Sequence, residues 1–464
     1  MRVGKIEKLE IGSMVAEGKC VARYEDKVVF VDLVAPGDIV DVLVTKQKKN
    51  FLEATPVFFH QYSSQREKPF CIHFGICGGC KWQHLNYQAQ LKYKEQQVVD
   101  SLERLGKLSL LNIQPILASS KTIFYRNKLE FTFSNHRWLT IEEIESKEQI
   151  VNKNALGFHI PKRFDKIIDV LTCHLQPDPS NAIRLFVKDQ AEQLSISFFD
   201  LKKQEGVLRN LLIRTSNTGG VMVIVQFFQD HPQREKLLNL IRAQFPQITS
   251  LYYIINPKKN ETFHDIETHL YYGEPHLIEQ MEDLKFRIGP KSFFQTNSDQ
   301  AYQLYSIVRQ LADIKSDEVV YDLYTGTGTI ALFLARHAKK VVGLEYVEMA
   351  VDDAKANAAF NRVGNASFIA GDIKDLLTTK FIEEYGRPAI IITDPPRSGM
   401  HPDVVKALLA IRPARIVYVS CNPATQARDL SLMNDCYTIK VVQPVDMFPH
   451  THHVENVVLM ELKN

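Results

Sequence analysis

Val319-Val-Tyr-Asp322-Leu-Tyr324-Thr-Gly326-Thr-Gly328-Thr329-Ile-Ala331 reads as a strand, a glycine-rich turn and the start of a helix. Ala331-Leu-Phe-Leu-Ala-Arg336 continues that helix, and Val341-Val-Gly-Leu-Glu345 is a second strand ending in a carboxylate. The glycines allow a tight turn and close approach of backbone to a ligand. Outward from there, Phe368-Ile-Ala-Gly-Asp372 is a third strand with an acid at its end, and Ile390-Ile-Ile-Thr-Asp394-Pro-Pro-Arg-Ser-Gly399 a fourth that opens into a rigid acidic turn. Repetition of strand, turn and helix from about residue 286 onward predicts an α/β domain with a doubly wound, Rossmann-like sheet over 286–464.

The acids at the strand ends narrow the chemistry. Gly326-x-Gly328-x-x-Ala331 fits a dinucleotide fingerprint, with Glu345 set to accept hydrogen bonds from ribose hydroxyls, so a nicotinamide-dependent dehydrogenase is one reading. Asp372, in reach of an adenine amino group, and the Asp394-Pro-Pro turn point instead to an enzyme using S-adenosylmethionine. Such a turn can hold a base edge beside a methyl donor, and a dehydrogenase has no need of it.

Two more residues bear on catalysis. Ala414-Arg-Ile-Val-Tyr-Val-Ser-Cys421-Asn422-Pro423 sets a thiol just past a strand, with Asn422 as N-cap and Pro423 in the first helical position. A helix N-terminus stabilises a thiolate, which makes Cys421 the candidate nucleophile. In Asp446-Met-Phe-Pro-His450-Thr-His-His453-Val-Glu455, the glutamate stands at the edge of an apolar run, where burial raises a carboxyl pKa toward that of a general base. The histidines read as part of a substrate-lining loop.

Residues 1–58 carry short β-branched runs (Val28–Val31, Ile39–Val44) around the turn Ala35-Pro-Gly-Asp38, which predicts a small β-barrel of OB-like type. Its charges balance, 9 basic against 9 acidic. Residues 59–170 hold 16 basic and 11 acidic residues interleaved with aromatic rings, a composition suited to single-stranded nucleic acid, although the alternation Leu129-Glu-Phe-Thr-Phe133 assigns many rings to a core. Residues 59–285 are thus expected to form a central α+β domain. Within it, Cys71-Ile-His73-Phe-Gly-Ile-Cys77-Gly-Gly-Cys80 spaces three thiols as C-x5-C-x2-C. Cys173 completes a four-thiolate shell, with His73 or His84 as alternative fourth ligands. The single tight pair favours a [4Fe–4S] cluster over zinc, and the spacing is not that of a radical enzyme's cluster. Cys20 and Cys436 read as structural.

The remaining composition excludes rather than identifies. With 464 residues, 45% hydrophobic and 24% charged, the chain is globular and of domain-rich length. A net charge of +2 excludes a polycationic binder. Seven cysteines are too few for a disulfide framework in so long a chain. No apolar run reaches the ~18 residues of a membrane span, and the start lacks a signal peptide's apolar core, so a cytoplasmic protein without membrane contact is expected.

The run Phe293-Phe-Gln295-Thr-Asn297, the turn Asp322–Gly328, Asp394-Pro-Pro-Arg-Ser-Gly399, Ser420-Cys-Asn-Pro423 and Asp446 through Glu455 together resemble the RNA uracil-5-methyltransferases. The chain is most similar to those that modify 23S ribosomal RNA and carry an iron–sulfur cluster, and its N-terminal β module looks like their TRAM domain. The resemblance implies Cys71, Cys77, Cys80 and Cys173 as cluster ligands. It implies Gln295, Tyr324, Thr329, Glu345 and Asp394 around S-adenosylmethionine, with Asp372 near the adenine, Cys421 as nucleophile and Glu455 as base. Tyr324 stands where Phe is common and Thr329 where Asn is common. A monomer acting on 23S rRNA is expected. A transfer-RNA or dual-site enzyme and a non-catalytic RNA-binding factor are the alternatives.

Overall fold

Strand ends set the architecture, and they converge on one edge of one sheet. The computed structural model describes residues 4–110, 112–146 and 152–463. Its C-terminal sheet has seven strands: β1 (Val319–Leu323), β2 (Lys340–Glu345), β3 (Ala366–Ala370), β4 (Ile390–Thr393), β5 (Arg415–Ser420), β6 (Tyr437–Val445) and β7 (Glu455–Leu462). Their order is β3-β2-β1-β4-β5-β7-β6, and β7 runs antiparallel to both of its neighbours. This is the Rossmann-like sheet expected from the sequence.

The strands are apolar throughout because both faces are covered. Alternate residues serve two cores: Val320, Val341, Ile390, Ile392, Val417 and Val419 face one, while Tyr321, Val342, Ile391, Ile416 and Tyr418 face the other. The first core is closed by the helix Ser298–Ala312, whose N-cap Asn297 accepts from the Gln300 N–H. The second is closed by the helices Pro402–Ile411 and Pro423–Met433 and, from far upstream, by Val98, Leu102 and Leu108.

The N-terminal strands form a six-stranded sheet spanning Lys5–Gln61, and Ala35–Asp38 makes the expected turn, closed by the Asp38 N–H donating to the Ala35 carbonyl at 3.0 Å. A central seven-stranded sheet runs from Lys128–Ser134 to His269–Gly273. As the alternation implied, Phe131 and Phe133 are fully buried there, and Trp82 is buried in the segment before it.

Two segments cross the expected divisions. The hairpin Leu277–Met281 and Leu284–Ile288, which spans position 285, packs Leu277, Met281, Phe286 and Ile288 into the C-terminal core. The helix Tyr87–Asp100 leads to Ile113 and Leu117, which bridge in parallel to Val442 and Val445 of β6, so part of the central stretch docks on the outer edge of the C-terminal sheet.

Gly343 on β2 fixes the approach of β3 to the glycine turn. A Cβ there would lie 2.6 Å from the Phe368 ring and 2.9 Å from Thr325 Oγ1. Gly343→Ala is therefore expected to destabilise the protein by about 1–3 kcal/mol, the usual cost of overpacking. A thermal melt followed by circular dichroism checks this, and an unchanged midpoint would show that Phe368 gives way freely.

Candidate active site

The strand register explains how distant residues meet. Leu323 pairs with Thr393, and Ser420 pairs with Asn456. Tyr324, Asp394 and Cys421 each follow the last residue of a parallel strand, and Glu455 opens the antiparallel β7 on the same edge. All four line one cavity of about 390 Å³, together with Gln295, Phe293, Pro396, Arg397, Phe448 and His453. Open α/β sheets bind ligands at this carboxyl edge.

A second cavity of about 400 Å³ is lined by Tyr324, Tyr346, Asp372, Pro396, His401 and Arg428, among others. Tyr324 and Pro396 belong to both walls, so the two cavities adjoin. Tyr324 has φ +63°, a left-handed conformation that costs a non-glycine residue free energy and marks a shape held for a purpose. Asp372 caps the short helix behind β3 and pairs with Lys374 Nζ at 2.7 Å, and that partner holds its carboxyl below the usual range.

Glu345 is fixed by two backbone donors, Gly326 N–H at 3.1 Å and Val347 N–H at 2.9 Å, beside the exposed Tyr346. Thr329 lines neither cavity. It is buried, and its hydroxyl lies 3.3 Å from that of Thr327, which donates to the Phe293 carbonyl at 3.3 Å. Thr329 therefore stiffens the glycine turn against the Phe293–Asn297 loop.

Electrostatics in the first cavity run against one expectation. The helix Pro423–Met433 starts as foreseen, with Asn422 as N-cap accepting from the Ala424 N–H. Yet the Cys421 thiol is pushed up to about 11, by burial first and then by the negative charges of Glu455 and Asp394, with Arg397 offsetting only part. One helix terminus does not outweigh two carboxyl groups in a partly desolvated cavity. Burial likewise raises Asp394 to about 7 and lifts Glu455 well above the usual carboxyl value, the latter helped by Asp394 and opposed by Arg397. Burial thus favours the thiol form of Cys421 and the protonated form of Glu455.

Arg397 has no role read from the sequence, whereas His453 belongs to the loop expected to line the substrate. The Arg397 guanidinium lies 3.3 Å from His453 Nδ1, and its carbonyl accepts from Asn422 Nδ2 at 2.9 Å and Thr425 Oγ1 at 3.1 Å, which ties the Asp394-Pro-Pro turn to the helix after Cys421. Their signal in the sequence was adjacency to Asp394 and Glu455. A larger cavity, about 630 Å³, lies behind the Phe293–Asn297 loop around Glu279 and Ser298 and contains none of the expected site residues.

Cys71, Cys77, Cys80 and Cys173 line a separate cavity of about 210 Å³ with His73, Gln83, Arg126 and apolar side chains. His84 is not part of it; its Nε2 lies 3.1 Å from the Val34 carbonyl. Among the described residues no three His, Cys, Asp or Glu side chains stand close enough to share one metal ion. Tetrahedral zinc would need its sulfurs about 3.8 Å apart, whereas a multi-iron cluster takes one thiolate at each of several irons. Burial raises all four thiols, Cys77 to about 12 and Cys80 to about 11.

Comparison with known proteins agrees with this geometry. The tRNA (uracil-5-)-methyltransferase family matches residues 264–463, and the TRAM domain matches residues 2–57. The chain is 56% identical to an uncharacterized RNA methyltransferase of Bacteroides thetaiotaomicron, over 97% of this chain and 100% of that one. It is 39% identical to an uncharacterized RNA methyltransferase of Chlorobaculum tepidum, over 99% and 97% respectively. Among solved structures it is similar to the Pyrococcus abyssi tRNA (uracil-54, C5)-methyltransferase in complex with S-adenosyl-L-homocysteine. That match has a TM-score of 0.76 and 28% identity, covering 98% of this chain and 100% of that one.

The raised thiol sets a measurable pH dependence. Iodoacetamide labelling of Cys421, read by peptide mass spectrometry, should accelerate about tenfold per pH unit between about pH 7.5 and 9.5, because only the thiolate reacts. Arg397→Met should slow it further, and a labelling midpoint below about pH 8 would refute the charge balance described.

Proposed function

Because this chain belongs to the RNA uracil-5-methyltransferase family and carries that family's TRAM domain, we propose that it methylates C5 of a uridine in 23S rRNA through a covalent Cys421 adduct. The observation that supports this reading is the common cavity of Cys421, Glu455 and Asp394 beside Gln295 and Tyr324.

In this reading the crevice between the two adjoining cavities holds S-adenosylmethionine, with Asp372 at the adenine, Glu345 at the ribose and Tyr324, Gln295 and Asp394 nearer the reacting end. Thr329 acts from behind by supporting the turn. When bound, S-adenosylmethionine supplies the methyl group and, as a sulfonium, adds a positive charge to that of Arg397. Uracil C5 alone is too weak a nucleophile. The Cys421 thiol loses its proton to solvent and Sγ bonds to C6; the C5=C6 electron pair moves into an enolate spanning C5, C4 and O4, and C5 takes the methyl group with S-adenosylhomocysteine as the leaving group. Glu455 then removes the C5 proton, the pair returns to C5=C6, and the Cys421 thiolate leaves. Arg397 favours the ionised forms of both residues. The target base has to leave its stack to enter, with basic residues of the central stretch and its exposed rings Phe70 and Phe124 holding the neighbouring strand. The protein acts as a monomer in the cytoplasm, and Cys71, Cys77, Cys80 and Cys173 hold a [4Fe–4S] cluster.

A transfer-RNA substrate is the second reading, and one observation favours it: the Pyrococcus abyssi transfer-RNA enzyme matches 98% of this chain. The presence of the N-terminal sheet does not by itself select ribosomal RNA.

Methylation assays on both RNA classes with mapping of 5-methyluridine separate these readings. Product in neither would refute both. Cys421→Ala should still bind S-adenosylmethionine and lose methyl transfer by at least about 1000-fold. Glu455→Gln should accumulate an enzyme–RNA adduct that survives denaturing electrophoresis. Protein purified without oxygen should be brown and contain iron and sulfide, with colourless protein holding stoichiometric zinc as the opposing result.

A further inference from the structure

The loop Asp446–Val454 delivers His453 and Glu455 to the cavity, yet its shape is set by residues hundreds of positions upstream. Each carbonyl from Met447 to His450 is taken by a donor from outside the loop. Met447 O accepts from Asn297 Nδ2 at 2.9 Å, Phe448 O from Lys94 Nζ at 3.0 Å, and Pro449 O from Tyr125 Oη at 2.9 Å. His450 O accepts from the Lys81 and Trp82 N–H groups at 2.9 and 3.0 Å. Three donors face the Asp446 carboxylate: Lys94 Nζ at 2.5 Å, Tyr87 Oη at 2.9 Å and the Phe448 N–H at 3.2 Å. Lys94 and Asp446 are both fully buried.

Backbone strain occurs in the same place. His450 has φ +64°, and Gln90 clamps it on both sides: Gln90 Oε1 accepts its N–H at 2.8 Å, while Gln90 Nε2 lies 3.2 Å from His450 Nδ1. Tyr87, Gln90 and Lys94 lie on one face of the helix Tyr87–Asp100, at spacings of three and four residues. A buried ammonium with one carboxylate and one carbonyl as partners holds those two atoms at a fixed separation. A hydrophobic pair could fill the space but could not hold the carbonyl.

We propose that Lys94 is a positioning residue for the base. Through Asp446 and the Phe448 carbonyl it sets the path of the loop and hence the aim of Glu455. The proposal rests on the methyltransferase reading above, since the proton it concerns is the one Glu455 removes. Lys94 lines neither the nucleophile's cavity nor the adjoining cofactor cavity.

The test uses the full chain, S-adenosylmethionine and the RNA that the wild-type protein methylates. Lys94→Met should lower kcat by roughly 100-fold, the scale of an ångström-sized misplacement. KM for S-adenosylmethionine should stay within about twofold, and covalent enzyme–RNA adduct should build up because proton removal has become slow. The double variant K94M/D446N removes both charges of the ion pair and keeps an amide oxygen as acceptor for Tyr87 Oη and the Phe448 N–H. It should melt like the wild type and still be slow, with adduct. If either variant folds and turns over at the wild-type rate, or is slow without adduct, the proposal fails. Absence of methylation by the wild-type protein would instead sink the function on which it rests.

Discussion

A cluster of buried carboxyl groups at the carboxyl edge of the C-terminal sheet is the constraint on which the site depends. Asp322, Asp394 and Glu455 are all raised by burial, and each of the first and last is raised further by Asp394. Asp322 is tied off by the Thr325 hydroxyl at 2.5 Å, which leaves Asp394 and Glu455 facing the cavity with Arg397 as the cation that offsets them. Such an arrangement disfavours anions and favours a cationic occupant. It also raises the Cys421 thiol, which Arg397 partly offsets.

Holding that arrangement takes more than the sheet. β7 must start at the rung where Glu455 faces Cys421, and the loop before it contains a left-handed histidine and a buried carboxylate. Neither would persist unsupported. The support comes from the helix Tyr87–Asp100 and its flanks, which also close the second core through Val98, Leu102 and Leu108. Losing one partner of a buried ion pair typically costs about 3–5 kcal/mol, because the other charge is left unpaired. The same contacts that aim the base therefore weld the upstream segment to the C-terminal sheet.

Local signals carried most of the fold and much of the site. Strand, glycine turn and terminal acid recur within a few residues, so Asp372, Asp394 and Cys421 were legible as strand-end residues, as were the cap and first turn after Asn422. What escaped was non-local. The docking of Ile113 and Leu117 beside Val442 and Val445 joins positions more than three hundred apart through single bridges, which no periodicity announces. Thr329 was assigned to the cofactor by its place in a motif, but its side chain turns inward to Thr327. The ionisation of Cys421 depends on burial and on charges brought together from three strands, which the helix terminus visible in sequence does not report.

The cysteine cavity belongs to the same mechanical unit. Cys80 is followed directly by Lys81 and Trp82, whose N–H groups hold the His450 carbonyl. Phe70, one residue before Cys71, packs edge-on against the His450 ring with centroids 5.0 Å apart. Arg126 lines the cysteine cavity and lays its guanidinium 4.9 Å over the Phe448 ring. Fixing Cys71–Cys80 against Cys173 in that cavity fixes the donors at Lys81 and Trp82, and through them the strained turn that leads to Glu455.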